Sequence, residues 1–188
     1  MSWMDHRASR LWLMSSQNIS IRPLTRCNST RSNLKTMAKT KSPLVLLLSG
    51  PNLNLLGQRQ PEIYGSDSLA DHVRRVTEVA KQNGLEIEHL SAQGVAEIVE
   101  AIHAARGRCA AIIINPGALT HFAWSLHDAL ASFEGPVVEV HLSNPTTREP
   151  WRHESVVAPV ASGSISGFGA QSYLLAMHAV AALLAKKK

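Results

Sequence analysis

Three apolar runs in this chain end in polar clusters whose side chains could act together. Leu44–Leu48 leads into Gly50-Pro51-Asn52, with Arg59 and Tyr64 downstream. Ala110–Ile114 leads into Asn115-Pro116-Gly117-Ala118-Leu119-Thr120-His121. Val137–Val140 contains Glu139 and leads into His141-Leu142-Ser143-Asn144, followed by Arg148 and Arg152. The clusters offer amide, imidazole, hydroxyl and guanidinium groups, little carboxylate and no lysine. Two arginines among neutral donors suit a small polyhydroxylated carboxylate, with Arg152 or Arg148 holding the acid group through a planar fork. A Schiff-base route lacks its amine here, because Lys81 belongs to a helix and the other lysines are terminal. No Gly-x-Gly-x-x-Gly or Walker sequence follows the first run, which argues against a nucleotide. The glycines of Gly163–Gly169 read better as close helix–sheet packing than as an anion loop. Nine histidines raise the question of a metal, but no His-x-x-x-His or Cys/His cluster supplies a ligand set, so none is expected.

The elements that must position these clusters alternate between strand and helix. Leu44–Leu48 is continuously apolar, as a parallel strand covered on both faces must be. After a polar loop, Ser68 and Asp71 form a capping-box pattern. Leu69, His72, Val73, Val76, Val79 and Ala80 then recur at helical spacing up to Gly84. Leu85–Leu90 alternates and predicts a second strand near an edge. Ile98, Val99, Ile102 and Ala105 mark a second helix ending near Gly107. Ala110–Ile114 is a third strand, about Phe122 to Phe133 a third helix, and Val137–Val140 a fourth strand. A short fifth strand is expected within Val156–Ile165, and a last helix over about Ala170–Leu184. Strands joined through helices imply right-handed crossovers and a parallel sheet. The expected fold is α/β, a flavodoxin-like three-layer sandwich with a five-stranded parallel sheet. In such sheets ligands bind beyond the carboxyl ends of the strands, where all three clusters fall.

The chain has 188 residues, 45% of them hydrophobic and 18% charged, which fits a globular protein and not a disordered one. No apolar run approaches the ~18–20 residues of a membrane helix. Two cysteines, Cys27 and Cys109, rule out a disulfide framework and fit a reducing, cytoplasmic compartment. Cys109 borders an apolar run and is expected to be a buried, inert thiol. Residues 1–41 hold eight basic residues against Asp5, whereas the rest of the chain holds 11 basic and 13 acidic residues. The basicity belongs to the ends, and nucleic-acid binding is not supported. The front segment is rich in Ser, Asn and Arg and poor in acids, like a transit peptide. Met37 opens Met-Ala-Lys-Thr-Lys-Ser-Pro, immediately followed by the first strand, and reads instead as a natural start. Residues 1–41 are therefore expected to be a basic disordered extension, and 42–188 the catalytic domain.

Four motifs stand in order along this domain. They are Gly50-Pro51-Asn52-Leu53-Asn54-Leu55-Leu56-Gly57, Arg59-x-Pro61-Glu62-Ile63-Tyr64-Gly65, Asn115-Pro116-Gly117-Ala118-x-Thr120-His121 and Glu139-x-His141-Leu142-Ser143-Asn144. Together they resemble the type II 3-dehydroquinate dehydratases over about residues 42–185. The resemblance implies reversible dehydration of 3-dehydroquinate to 3-dehydroshikimate through an enolate, without metal or cofactor. It also implies a homododecamer of four trimers, serving aromatic biosynthesis or quinate breakdown. Tyr64 corresponds to the proton acceptor; an ordinary phenol pKa of ~10 is too high for that task, so a cation must favour the phenolate. Arg59 resembles the activating arginine, with Arg148 a second candidate. Asn52 corresponds to the residue orienting a water or the enolate oxygen. His141 corresponds to the general acid for the departing hydroxyl, with Glu139 orienting or charging it. A lone His after an apolar strand is ordinarily structural; Glu-x-His followed by Ser-Asn reverses that reading, since residues i and i+2 share a strand face. Asn115, His121, Leu142, Ser143 and Arg152 map to substrate-binding positions. Asp128, on the third helix, corresponds to a residue that reaches a neighbouring subunit's substrate, the plain alternative being a solvated helix charge.

The match has gaps. Where family members carry Asn-x-x-Glu-Gly after the second strand, this chain has Ala92-Gln93-Gly94-Val95-Ala96, and Val95 cannot replace a carboxylate. That touches loop support or subunit contacts more than the chemistry. A flavodoxin-like ligand-binding or assembly protein would be expected to lack Tyr64, Arg59 or His141, and all three are present.

Overall fold

The computed structural model describes residues 42–58 and 66–186. The extension 1–41 and the segment holding Arg59 and Tyr64 lie outside the described residues. Five parallel strands form one sheet: β1 (Leu44–Ser49), β2 (Glu86–Ser91), β3 (Ala111–Asn115), β4 (Val137–His141) and β5 (Gly163–Ser166). Their order is β2-β1-β3-β4-β5, so β2 stands at an edge, as its alternation predicts. Among the described residues, four α-helices follow β1, β2, β3 and β5: α1 (Leu69–Gln82), α2 (Val95–Ala105), α3 (Trp124–Ala131) and α4 (Gln171–Ala185).

The inner strands β1, β3 and β4 are apolar except at Ser49, Asn115, Glu139 and His141, because both faces are covered. On one face Leu46, Leu48, Ile112, Ile114 and Val137 pack against Ile98 and Ile102 of α2 and Leu126 and Leu130 of α3. On the other, Val45, Leu47, Ile113, Val138 and Val140 meet Val76 and Ala80 of α1 and Tyr173, Met177 and Val180 of α4. Each such side chain contributes about 1.5–3 kcal/mol of burial, and the two layers fix the register of the sheet between them. Helix α1 opens with the expected capping box, Asp71 N–H donating to Ser68 Oγ at 3.2 Å and Ser68 N–H to Asp71 Oδ2 at 3.2 Å.

Three boundaries depart from expectation. The third helix begins at Trp124 and ends at Ala131, inside the expected Phe122–Phe133. Gly117–His121 forms a separate 3-10 turn, and Phe122, at φ −153°, breaks the helix. The apolar spacing runs through both pieces because Leu119, Ala123, Leu126 and Leu130 enter the same core. The fifth strand starts only at Gly163 and passes the expected window by one residue. Pro159, without an N–H to donate, sits in a 3-10 turn at Ala158–Val160 instead. Cys109 is half-buried where full burial was expected, and desolvation pushes its thiol pKa up.

The order reverses between β1 and β3, whose outgoing loops therefore diverge and open a crevice. Gly50 holds the two loops together. Its N–H donates to Asn115 O at 2.8 Å, and a Cβ there would lie 2.5 Å from the Pro116 carbonyl oxygen. Gly50→Ala is expected to cost about 1–3 kcal/mol, as overpacking does, read from urea unfolding midpoints. Gly163→Ala, where a Cβ meets nothing within 4 Å, is the control and should stay within about 0.5 kcal/mol of wild type.

Candidate active site

The crevice holds a cavity of about 210 Å³, bordered by the loops after β1, β3 and β4. Asn52, Asn115, His121, His141, Leu142, Ser143, Arg148 and Arg152 all line it. Of the described residues expected at the site, Glu139 and Asp128 are not among its walls. Glu139 lies beneath His141, Asp128 is exposed on α3, and Arg59 and Tyr64 fall outside the described residues.

Glu139 is 1% exposed, yet its carboxylate is held from four elements. His141 Nε2 on β4 lies 2.9 Å from Oε1, the i, i+2 geometry that a strand enforces. Thr120 Oγ1, from the 3-10 turn after β3, donates to the same oxygen. Ser164 Oγ on β5, paired in register with Glu139, donates to Oε2 at 3.1 Å. Ser155 Oγ approaches both oxygens. Burial pushes this carboxyl's pKa up, but the hydrogen bonds from His141, Thr120 and Ser164 and the nearby His141 charge outweigh it and hold it below the usual value. An ionised Glu139 only accepts, so His141 carries its first proton on Nε2 and leaves Nδ1 as the nitrogen not held by Glu139. Nδ1 can then donate a proton only from the doubly protonated ring.

Asn115 is 3% exposed and pinned on both ends of its amide. Its Nδ2 donates to Tyr173 Oη at 3.1 Å, and its Oδ1 accepts from Gly117 N–H at 3.2 Å. Among the described residues, the second N–H of Nδ2 has no partner. Burial pushes the Tyr173 phenol up to about 12, against the pull of its bonds to Asn115 and Ser49, so it stays neutral. Asn52 takes a left-handed conformation at φ 66°. Gln93 braces that turn, its Oε1 accepting from Asn52 N–H at 3.0 Å and its Nε2 donating to Asn54 Oδ1 at 3.1 Å. The loop support left open by Val95 thus comes from Gln93, two residues earlier.

Two arginines reach the cavity from the segment after β4. Arg152 Nε donates to Glu149 Oε2 at 2.6 Å, and its guanidinium lies 4.0 Å over the Trp151 ring. Arg148 Nε stands 3.6 Å from the same Glu149 oxygen. Among the described residues, one carboxylate of this segment, Glu149, stands against the two guanidiniums. His121 donates through Nδ1 to Glu154 O at 2.7 Å and meets Trp151 edge to face. Among the described residues, no three His, Cys, Asp or Glu side chains gather so as to hold a metal ion.

The residues the sequence reading passed over are Gln93, Thr120, Glu149, Ser155, Ser164 and Tyr173. Thr120 stood inside a quoted motif without a role. Ser164 and Tyr173 come from elements distant in the chain, and no spacing rule could have joined them to the site.

Comparison with known proteins bears on the family of the chain. The family model described as "Dehydroquinase class II" matches residues 43–181. A relative from Pseudomonas putida named 3-dehydroquinate dehydratase 2 is 49% identical over 145 residues, covering 77% of this chain and 97% of its own. A 3-dehydroquinate dehydratase of Herpetosiphon aurantiacus is 51% identical over 133 residues, covering 71% of this chain and 92% of its own. The crystal structure of type II dehydroquinase from Propionibacterium acnes superposes with a TM-score of 0.72 at 37% identity, covering 75% of this chain and 97% of that one. With this match in sequence and fold, the chain belongs to the class II dehydroquinase family.

Proposed function

We propose that this chain dehydrates 3-dehydroquinate to 3-dehydroshikimate as a type II 3-dehydroquinate dehydratase, a hydro-lyase of the shikimate pathway. The observation that carries the reading is the pair of buried Glu139 and half-buried His141, 2.9 Å apart, beside Asn115, Arg148 and Arg152 at one cavity. The substrate carboxylate pairs with Arg152 or Arg148, and Asn115, His121, Leu142 and Ser143 meet its hydroxyls. A base takes the C2 proton, and the electron pair moves into an enolate on the neighbouring ketone. The pair then returns, the carbon–oxygen bond to the leaving hydroxyl breaks, and His141 supplies the proton with which it departs as water. Glu139 orients the ring, and Asn52 meets the oxygen on which negative charge develops.

Tyr64 is the base in this reading. The chain has two tyrosines, and the other, Tyr173, is buried and its pKa pushed up to about 12, which disqualifies it as a proton acceptor near neutral pH. Arg59, five residues before Tyr64, is the cation that favours the phenolate. Residues 42–188 form the catalytic domain after a basic extension, and the location is cytoplasmic. Among the described residues no helix is long and apolar enough to cross a membrane.

Assembly into trimers, four to a dodecamer, belongs to the same proposal. Asp128 does not line the cavity of its own chain, and Trp124, one helical turn earlier on α3, is 65% exposed beside Phe122 at 62%. An exposed carboxylate flanked by aromatics suits a face that meets a second copy and completes its site. Light scattering on the eluting peak should give the dodecamer mass, and Asp128→Ala should raise KM with kcat less affected; a fully active monomer contradicts the assembly.

Acid and base are separable by isotope exchange. Tyr64→Phe should lower turnover by more than the ~10²–10⁴-fold usual for a general acid or base, with binding nearly intact. Arg59→Ala should act mainly on turnover and move the alkaline optimum upward. His141→Ala should still exchange the C2 proton with deuterated solvent while failing to expel water. Wild-type exchange by Tyr64→Phe would remove Tyr64 from the role of base.

A further inference from the structure

Ser155 stands where two halves of the site meet. It lies three residues past Arg152, between the 3-10 turns Pro150–Arg152 and Ala158–Val160. Its Oγ is 3.1 and 3.2 Å from the two Glu139 oxygens and 2.8 Å from Thr120 Oγ1. The same oxygen accepts from Val157 N–H at 3.1 Å and Ala158 N–H at 2.9 Å. Those amides fill its acceptor capacity, so its single proton points either to Glu139 or to Thr120, whose own proton goes to Glu139. In both arrangements the hydroxyl chain ends on the carboxylate.

The backbone around Ser155 is tied on either side. Glu154 O accepts from His121 Nδ1 at 2.7 Å, and Val156 N–H donates to Thr120 O at 2.7 Å. Val156 O accepts from His127 Nδ1 at 2.7 Å. Capping the turn needs only the two amide contacts. The approach to both carboxylate oxygens is additional, and it links the loop between two 3-10 turns to strand β4 across 16 residues of chain.

We infer that Ser155 is a positioning residue: its hydroxyl locks the Glu139 carboxylate, and through it the His141 ring, to the segment that carries Arg148 and Arg152. The inference rests on the dehydratase reading for its kinetic consequences, but not for the orientation of the ring. Among the described residues, the group bonded to Glu139 that titrates is His141 on its own strand; the elements packed around it present the hydroxyls of Thr120, Ser155 and Ser164.

The test uses the full chain with Ser155→Ala and the hydroxyl-retaining Ser155→Thr. Long-range nitrogen–proton NMR of the substrate-free protein should show His141 as one Nε2–H tautomer in wild type, a mixture in Ser155→Ala, and recovery in Ser155→Thr. Losing a hydrogen bond raises the Glu139 pKa, so the acid limb of kcat/KM should move upward by on the order of one pH unit. The optimum kcat should fall roughly 10- to 100-fold, the penalty for misplacing a catalytic group, and KM should rise as Arg152 loosens. If Ser155→Ala does not fold, Ser155→Cys keeps the volume with a weak donor and should show the same changes in smaller degree. An unmoved tautomer and acid limb, with only stability or KM altered, would overturn the inference and leave Ser155 a turn cap. Absence of wild-type turnover on 3-dehydroquinate would sink the dehydratase reading, while the tautomer comparison still decides the role of Ser155.

Discussion

A carboxylate that is 1% exposed survives as an anion only where donors replace the water it has lost, and Glu139 collects them from β4, β5, the turn after β3 and the turn before Ala158. Each of these elements must be in place for the charge to be tolerated, because an ionised group in a dry interior is costly unless it is bonded. The site and the second half of the fold therefore form together. The same constraint sets the tautomer of His141, since an acceptor at Nε2 obliges that nitrogen to carry the proton.

The reversal of strand order between β1 and β3 does the rest of the positioning. It separates the outgoing loops far enough for a cavity, while Gly50 keeps their first residues in backbone contact. Behind that opening, Tyr173 reaches from α4 through the core to hold the Asn115 amide. A buried neutral phenol at this point fixes which end of the amide faces the cavity. The Ser49 hydroxyl, bonded to His89 at 3.0 Å on the far side, extends the polar line toward β2. These groups lie under apolar layers that satisfy no hydrogen bonds themselves, so a change at any of them leaves a polar atom unpaired.

Charge at the rim is moderated more than the sequence suggests. Glu149 sits between Arg148 and Arg152 and accepts from the latter, while Trp151 lies under its guanidinium. A guanidinium already oriented by a carboxylate and an aromatic face loses less freedom on gripping a substrate acid group. Two arginines held in this way offer a shaped fork and not a diffuse positive field.

Local pattern decided much of this protein. Apolar runs named the three inner strands, alternation named the edge strand β2, the Ser68–Asp71 pair named the start of α1, and Glu-x-His placed Glu139 and His141 on one strand face. Each of these depends on neighbours within a few residues, where the geometry of strand and helix is set by the backbone. The motifs around Asn52, Asn115 and His141 likewise marked residues that now border one cavity. What the sequence left open depends on contacts across long stretches of chain. Thr120, Ser155 and Ser164 are ordinary hydroxyl residues until the sheet brings them, from 16 to 25 residues away, onto one carboxylate. Gln93 looked like part of a departure from pattern until the β1 loop lay against it, 41 residues distant. Propensity and periodicity carry no information about such partners, because hydrogen-bond selection in a core is made by the closing of the tertiary structure around groups that cannot remain unpaired.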